Sequence, residues 1–283
     1  MSNDNDLREK TLESNRYVHS FLVGINEYQK SPHFRPENQQ KVRGILLRLT
    51  SGLSNKKQMI DFGCGTGFII ALSHDLFDEV VGVDITREMM AQVDLSPGNI
   101  KLVEALAEKT PFAENQFDFA TAYSFMDHLF DYREFLQEAY RVLKPGGVLY
   151  TDLNPNREFI HSMLQASAVL EPEQRSVILR REIEGALDNG SNYEQQFGLD
   201  ATALAQAEPG KTLAKGFQAQ EVLDYAKLLG FRTVEVEYEW YVDQGFWVNQ
   251  QPEGYAQIID QYLQSMLPVS AHFYKYLRFI LTK

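Results

Sequence analysis

The chain has 283 residues, of which 44% are hydrophobic, and its 39 acidic side chains against 27 lysines and arginines give a net charge of −12. This size fills one large core, and the acidic balance argues against a protein that grips a nucleic-acid backbone through a basic face. No apolar run approaches the roughly 18 residues that cross a bilayer, and the polar start differs from a signal peptide. One cysteine excludes an internal disulfide framework and a cysteine-based metal site. We therefore expect a cytoplasmic protein that takes no membrane, nucleic acid or metal ion as partner.

Residues 1–50 precede the first clear strand and predict an N-terminal helical cover. Apolar residues recur at helical spacing between Gln39 and Leu49, and a second apolar group begins at Tyr17. The first fifteen or so residues are polar and charged, so we expect them to be frayed and flexible.

A glycine-rich segment, DFGCGTG at residues 61–67, lies between two apolar stretches. This order predicts a strand, a tight turn and the start of a helix, as at the nucleotide pocket of a doubly wound sheet. Glycines suit the turn because it needs positive φ and because a ligand must approach the bare backbone. Phe68 replaces the third glycine of the dinucleotide fingerprint, and Asp61 would repel a phosphate but attract a cationic ligand, directly or through water.

The next apolar strand, Val80 to Asp84, ends in an acid 23 positions after Asp61. An acid at this place is suited to bind ribose hydroxyls. A ribose without a phosphate, combined with a positive charge, describes S-adenosylmethionine.

With these features the chain resembles the class I S-adenosylmethionine-dependent methyltransferases, especially the branch that acts on small molecules. The resemblance covers residues 58–152 and 217–231, and DFGCGTG fits the family's first motif at every fixed position. Ile85, Thr86 and Met89 follow Asp84 as the corresponding residues do in the family, where the methionine covers the adenine. The family's D-A-E-x-L-P-F element corresponds to residues 106–112, but Leu106 stands where the family has the aspartate that reaches the adenine amino group.

The later elements follow the family's order. A strand at 117–123, a helix from Tyr132, the stop sequence KPGG at 144–147 and a strand at 148–153 come before an insertion, after which a helix and two strands complete the pattern. We expect an α/β fold, a Rossmann-like seven-stranded sheet with helices on both faces and an antiparallel last strand. Its core would comprise residues 51–154 and 217–283, with 155–216 as a helical lid for the acceptor substrate.

The motifs and the resemblance together imply a set of residues that bind the methyl donor. They lie in the glycine turn, after the second strand, in the element that carries Leu106 and at the end of the fourth strand. Tyr17 and Tyr28 are candidates to close over the donor from the N-terminal cover, with plain packing as the alternative. The full set is Asp61, Gly63, Cys64, Gly65, Gly67, Asp84, Ile85, Met89, Ala107, Glu108, Ala122, Tyr123 and Tyr17.

The candidate catalytic residues are His128, Asp127 and Tyr123, which follow or end the fourth strand. Family members often place a histidine there, near the acceptor, so His128 is the candidate general base. The alternative for His128 is an ordinary loop histidine. Asp127 would orient His128 or bind a substrate amine, and its alternative is a helix N-cap.

The predicted function is methyl transfer from S-adenosylmethionine to an O or N nucleophile of a small molecule, with S-adenosylhomocysteine as product. Phe246 and Trp247 are candidates for a wall against an aromatic or amine-bearing acceptor. Two alternatives stay open: a donor-binding regulatory or partner subunit without catalysis, which Leu106 favours, and a nicotinamide oxidoreductase, which Phe68 and Asp61 disfavour. The sequence names neither the acceptor nor an oligomeric state, and a homo-oligomer stays open.

Overall fold

A single sheet forms the centre of the molecule. The computed structural model describes residues 2–27, 30, 34–187, 189–252 and 254–283. Across these residues the sheet has seven strands: β1 (Gln58–Phe62), β2 (Glu79–Asp84), β3 (Ile100–Glu104), β4 (Phe117–Tyr123), β5 (Leu143–Pro155), β6 (Thr233–Tyr241) and β7 (Tyr274–Thr282).

The spatial order of the strands is β3-β2-β1-β4-β5-β7-β6. The pairs β1–β2, β2–β3, β1–β4 and β4–β5 are parallel, whereas β7 runs antiparallel to both β5 and β6. The chain order reverses between β1 and β4, which creates a crevice at their carboxyl ends where open α/β sheets bind ligands. The predicted Rossmann-like sheet with an antiparallel last strand is therefore confirmed.

Helices cover the sheet and its carboxyl edge. Those before the insertion are α1 (Ser2–Gly24), α2 (Pro36–Ser51), α3 (Phe68–Ser73), α4 (Arg87–Met90) and α5 (Tyr132–Val142). The inserted segment contains α6 (Arg157–Val169), α7 (Val177–Leu187), α8 (Asn189–Phe197), α9 (Ala201–Ala207) and α10 (Pro209–Thr212). The remaining helices are α11 (Ala219–Leu229), which returns to the core, and α12 (Gln244–Gln250) and α13 (Tyr255–Ser265), which connect β6 to β7.

The two faces of the sheet bury separate apolar clusters. Ile60 and Ala120 lie in a cluster that includes residues of α5 and α11, whereas their chain neighbours Met59 and Phe119 lie in one that includes residues of α2 and α3. Because successive side chains of a strand point to opposite faces, the apolar runs of β1 and β4 fill both clusters. The predicted coverage of both faces by helices follows from these runs.

The N-terminal cover is a continuous helix that packs on the lid. Val18 and Leu22 of α1 join Leu199, Leu204 and Ala207 in a third apolar cluster at the lid. The first residues, which the sequence predicts to be frayed, differ in the structure because α1 begins at Ser2. Its polar residues Thr11, Ser14 and Asn15 are each less than a tenth exposed, so the helix packs against the rest of the protein from Thr11 onward.

A buried ion-pair network ties the antiparallel strands to the parallel part of the sheet. Arg278 of β7 is 3% exposed, and its guanidinium lies 2.8 Å from the Asp152 carboxylate of β5. The same guanidinium lies 2.6 Å from carboxylate oxygens of Glu237 and Glu239 on β6. Strands β5, β6 and β7 are thus joined by charge as well as by backbone pairing.

The helices of the described residues differ from membrane-spanning helices. Within the described ranges, none combines the length and the apolar character needed to cross a membrane.

Candidate donor and acceptor site

One cavity of about 390 Å³ opens at the carboxyl ends of β1, β2 and β4. Its volume lies in the range of small-molecule sites, roughly 300–1,000 Å³. The sheet edge forms one side, and α1 and the lid form the other through Asn15, His19, Tyr193, Leu204 and Glu208. The cavity therefore lies between the core and the two covers.

The glycine turn forms the floor of this cavity with bare backbone. Gly63 and Gly65 line the cavity and have φ values of 63° and 53°. A Cβ atom at Gly63 would lie 2.0 Å from the Phe125 ring, and one at Gly65 would lie 2.9 Å from the end of Met89. Glycine at these positions therefore allows the positive φ and the close packing of Phe125 and Met89 against the turn, whose backbone lines the cavity.

Asp84 links the end of β2 to the glycine turn. One oxygen of its carboxylate accepts the backbone N–H of Gly65 at 2.9 Å, and the other accepts that of Thr86 at 2.8 Å. Burial raises the pKa of the Asp84 carboxyl, whereas these N–H groups act in the opposite direction. Ile85 and Met89 line the cavity beside it. The carboxylate is thus fixed at the cavity wall, with oxygen lone pairs left for a ligand.

Cys64 contributes its backbone to the turn and buries its thiol. Its N–H donates to the carbonyl oxygen of Val83 at 3.0 Å, and the side chain is 5% exposed. Burial raises the pKa of the Cys64 thiol, so the thiol stays neutral and serves as a small packed group.

Asp61 lies beneath the turn rather than at the cavity wall. Its carboxylate is 2% exposed and accepts the hydroxyl of Thr121 at 2.6 Å. Burial raises the pKa of Asp61 to about 7, with Asp84 adding to the increase. A direct contact between Asp61 and a ligand has no support in this geometry, because other residues line the cavity.

Three further residues that were expected to contact the donor, Gly67, Ala122 and Tyr17, are not among the residues that line the cavity. Gly67 is the N-cap of α3, and Ala122 is buried within β4. Tyr17 is 50% exposed on α1, so its side chain points away from the cavity wall. Tyr28 lies outside the described residues.

The element that carries Leu106 forms another part of the wall. Leu106 pairs with Lys109 across a tight turn, which brings Leu106, Ala107 and Glu108 to the cavity. Burial raises the pKa of Glu108, while the nearby Arg8 of α1 acts in the opposite direction. Leu106 therefore offers an apolar surface where the family has an acid.

The three candidate catalytic residues occupy different positions. His128 and Tyr123 line the cavity, whereas Asp127 is buried and lies outside the lining. The close approach of α10 explains this, because a Cβ atom at Gly210 would lie 2.7 Å from the Asp127 Cα. The N-cap of α5 is Asp131, so Asp127 does not have that alternative role.

Tyr123 is poorly suited to exchange protons. Burial raises the pKa of its phenol well above the ordinary range, and the side-chain amide of Asn38 donates to the phenol oxygen at 3.4 Å. The hydroxyl therefore stays neutral at physiological pH and offers shape and hydrogen bonding.

His128 has defined partners on one ring nitrogen. Its Nδ1 lies 3.1 Å from Oδ1 of Asn15 and 3.1 Å from the carbonyl oxygen of Ala207. The ring of His19 lies 4.9 Å from that of His128, centroid to centroid. Burial, and to a smaller extent His128, lowers the pKa of His19 to about 3, so His19 is neutral.

Residues of α1 and of the end of the lid line the cavity, although the sequence did not predict them as site residues. Arg8, Asn15 and His19 line the cavity, as does Glu208 at the start of α10. A signal was present, because Thr11, Asn15 and His19 recur every four residues and share one face of a helix. Phe246 and Trp247, by contrast, lie in α12 and are not among the residues that line the cavity.

In the part of the chain that the structure describes, no three histidine, cysteine or acidic side chains are arranged to hold a metal ion.

The chain is similar to known methyltransferases in sequence. Residues 60–151 match the family model described as a methyltransferase domain. The demethylmenaquinone methyltransferase of Staphylococcus aureus (strain JH9) is 32% identical over 139 residues, which cover 47% of this chain and 58% of that protein. The same values hold for the protein of strain Newman. The chain thus spans little more than half the length of the curated relatives it matches.

Solved structures share the fold. A methyltransferase from Archaeoglobus fulgidus, described as S-adenosylmethionine-dependent, has a TM-score of 0.51 at 16% identity, over 87% of this chain and 94% of that one. Phosphoethanolamine N-methyltransferase 2 of Haemonchus contortus, solved with S-adenosylhomocysteine, has a TM-score of 0.55 at 16% identity, over 98% of this chain and 60% of that one. Residues 60–151 thus match a methyltransferase domain, and the chain shares the fold of these solved methyltransferases.

Proposed function

We propose that the protein transfers a methyl group from S-adenosylmethionine to an O or N nucleophile of a small molecule. The observation that carries this proposal is the composition of one cavity, which joins a bare glycine turn and Asp84 to the imidazole of His128. A donor site and a proton acceptor within one enclosed space are what such a transfer needs.

The residues at the turn fit the donor. Gly63 and Gly65 present bare backbone to the cavity, and Asp84 presents carboxylate oxygens that ribose hydroxyls can donate to. Met89 and Ala107 supply apolar surface suited to an adenine ring. The buried carboxyl of Asp61 beneath the turn adds negative charge, when ionised, below a cationic ligand.

His128 is the proposed general base. S-adenosylmethionine supplies, when bound, a methyl group on a positively charged sulfur that leaves as the thioether of S-adenosylhomocysteine. His128 would take the proton from the acceptor through Nε2, because Nδ1 is engaged with two oxygen atoms. The N-terminal cover and the lid would exclude water and hold the acceptor in line with the methyl group. Such alignment lowers the activation barrier by about 7–11 kcal/mol, which is the larger part of the catalytic effect. The base adds about 10²–10⁴-fold.

The lid, residues 155–216, and the cover, residues 1–50, are proposed to bind the acceptor. Val18, Leu22 and Leu204 give this side of the cavity an apolar lining. Such a surface suits a flat ring that carries a hydroxyl group, and the name of the Staphylococcus relative is in keeping with a quinol-like acceptor.

An amine is the second candidate acceptor. The carboxylates of Glu27 and Glu208 line the same cavity, and either could pair with an ammonium group. In this case His128 would take the proton that the ammonium group must lose, and the resulting neutral amine would attack the methyl group.

The experiment that tests the proposal starts with the donor and then varies the acceptor. Calorimetric titration with S-adenosylhomocysteine should show binding to one site, whereas NADH should show none. The protein is then incubated with S-adenosylmethionine labelled in its methyl group and with separate pools of quinols, phenols and amines. Label in an extracted product, with equimolar S-adenosylhomocysteine, supports catalysis. Donor binding without label transfer in any pool would favour the non-catalytic subunit, and NADH binding in place of the donor would overturn the proposal.

A further inference from the structure

Asn15 connects the N-terminal helix to the proposed base. It lies on the buried face of α1, and its side chain is almost fully enclosed at 4% exposure. A buried amide needs partners for two N–H groups and one oxygen. Two of these partners belong to His128, which is 113 positions away in the chain.

The hydrogen bonds determine which way the Asn15 amide points. Its nitrogen donates to the carbonyl oxygen of Thr11 at 2.9 Å and to that of His128 at 3.2 Å. Both partners are pure acceptors, so the nitrogen must occupy this position. The amide oxygen then faces Nδ1 of the His128 ring at 3.1 Å.

This orientation determines the tautomer of His128. The second neighbour of Nδ1 is the carbonyl oxygen of Ala207, at 3.1 Å. Because Asn15 and Ala207 both offer oxygen acceptors, Nδ1 carries the proton of the neutral ring. Nε2 is left with its lone pair and is able to accept a proton. The tautomer is therefore set by one residue of the cover and one residue of the lid.

We propose that Asn15 is a positioning residue that holds His128 in the tautomer and orientation needed for proton transfer. The inference rests on the proposed function, in which His128 is the base. Because Asn15 belongs to α1, His128 is held as a competent base only while α1 packs against the core. The N-terminal helix then completes the active site as well as covering it.

Other charged or titratable groups surround the same ring. The ring of His19, from α1, lies 4.9 Å from that of His128, and the buried Asp127 precedes His128 in the chain and interacts with its charge. Glu208 and Lys211, from the segment of α10, act on the charge of Asp127. None of these is a hydrogen-bond partner of Nδ1 among the described residues, where Asn15 is the side-chain partner. Asn15 is therefore the side chain whose replacement should change the tautomer directly.

The first test needs no acceptor. The protein is labelled with ¹⁵N-histidine, and the tautomers of its six histidines are read from their ring ¹⁵N shifts. His128, assigned through the His128→Gln variant, should be the Nδ1–H form in the unaltered protein. In Asn15→Ala the Ala207 carbonyl oxygen still accepts from Nδ1, so the share of the Nε2–H form should rise without replacing the Nδ1–H form completely. Ser14→Ala is the matched control, because Ser14 is the buried neighbour on α1 and bonds Gln206 of the lid rather than His128. An unchanged His128 tautomer in Asn15→Ala would overturn the inference.

The second test uses turnover with an acceptor found by the labelling experiment. Asn15→Ala should lower kcat about tenfold, the effect of one lost hydrogen bond, with the donor KM nearly unchanged. The double variant Asn15→Ala/His128→Ala should be no slower than His128→Ala alone, because Asn15 acts through His128. Additive losses would show that Asn15 has only a structural role.

A carboxylate variant covers the case in which Asn15→Ala does not fold. Asn15→Asp keeps the size and the acceptor oxygen but places a negative charge beside the ring, which favours the charged imidazole. The acidic limb of its pH–kcat profile should therefore move to higher pH by about 1–3 units. An unmoved limb would count against the inference. Full activity in His128→Ala would instead contradict the proposed role of His128 as the base, whatever the Asn15 variants show.

Discussion

The carboxylate of Asp84 accepts the backbone N–H of Gly65 at 2.9 Å, so the acid that ends β2 is bonded to the glycine turn that follows β1. Its second oxygen accepts the N–H of Thr86 at 2.8 Å. Two neighbouring parallel strands are thus joined at the cavity floor. Any ligand held by the turn must lie beside this carboxylate.

Replacing Asp84 should therefore weaken donor binding. Asp84→Ala removes a charge-assisted contact worth roughly 1.5–3 kcal/mol, so the affinity for S-adenosylhomocysteine should fall by about 10–150-fold. Calorimetric titration measures this change. Asp78→Ala is a suitable control, because Asp78 is an exposed acid next to the opposite end of β2. The affinity of this variant for S-adenosylhomocysteine should equal that of the unaltered protein. Equal affinities for the two variants would contradict the ribose assignment.

A side chain at Gly63 should lower the free energy of unfolding by more than the cost of its positive φ alone. Gly63→Ala combines a left-handed φ of 63°, which costs alanine about 1–2 kcal/mol, with a Cβ atom 2.0 Å from the Phe125 ring. Crowding adds typically about 1–3 kcal/mol. Gly98→Ala is matched, since it has a φ of 81° and open space around the new atom. Urea unfolding should show a larger loss for Gly63→Ala, and equal losses would contradict the close packing.

The turn illustrates what the sequence could predict. Gly63 and Gly65 lie a few residues from Asp61 and Phe68, so local spacing was enough to predict a strand, a turn and a helix. The acid at Asp84 was predictable because the family's second strand ends in the same way. These features depend on neighbours in the chain, which a single sequence displays directly.

The contacts of α1 could not be predicted in this way. Asn15 reaches His128 across 113 positions, and Val18 and Leu22 meet the lid across nearly the whole length of the core. No local pattern encodes such pairs, and a polar start without periodic apolar residues favours fraying. Tertiary burial of Thr11, Ser14 and Asn15 outweighs that preference in the second half of the segment, which is helical and forms part of the cavity wall.

Removing the imidazole of His128 should lower turnover and leave the donor site intact. His128→Ala should reduce kcat by about 10²–10⁴-fold, the usual contribution of a general base. Titration with S-adenosylhomocysteine should give nearly the same affinity as in the unaltered protein, because the proposed donor contacts come from the glycine turn, Asp84, Met89 and Ala107 rather than from the imidazole. His161→Ala, at an exposed position of α6, should keep full activity. Full activity in His128→Ala would leave His128 with a structural role.

Breaking the buried ion-pair network should destabilise the sheet strongly. Arg278→Met leaves Asp152, which is 2% exposed, and two carboxylates of β6 without their shared cation. Removing one partner of a buried pair typically costs about 3–5 kcal/mol. Lys101→Met breaks a surface pair with Glu79 and should leave the urea midpoint nearly unchanged. Similar midpoints for the two variants would mean that water compensates the network.

The pH dependence of stability should report the buried carboxyl of Asp61. Burial raises its pKa in the folded protein to about 7, against 3.8 for the ordinary group, so the folded state holds the proton more tightly. The free energy of unfolding therefore falls as the pH rises from about 4 to about 7, by about 1.4 kcal/mol for each pH unit in that window. Asp61→Asn cannot ionise and lacks this loss, so between pH 5 and pH 7 its stability should improve relative to the unaltered protein by about 2–3 kcal/mol. Urea unfolding at the two pH values measures the change. Asp224→Asn, at an exposed position of α11, should show the same difference from the unaltered protein at both. A pH-independent difference for Asp61→Asn would mean that the carboxyl beneath the turn is already ionised at pH 5.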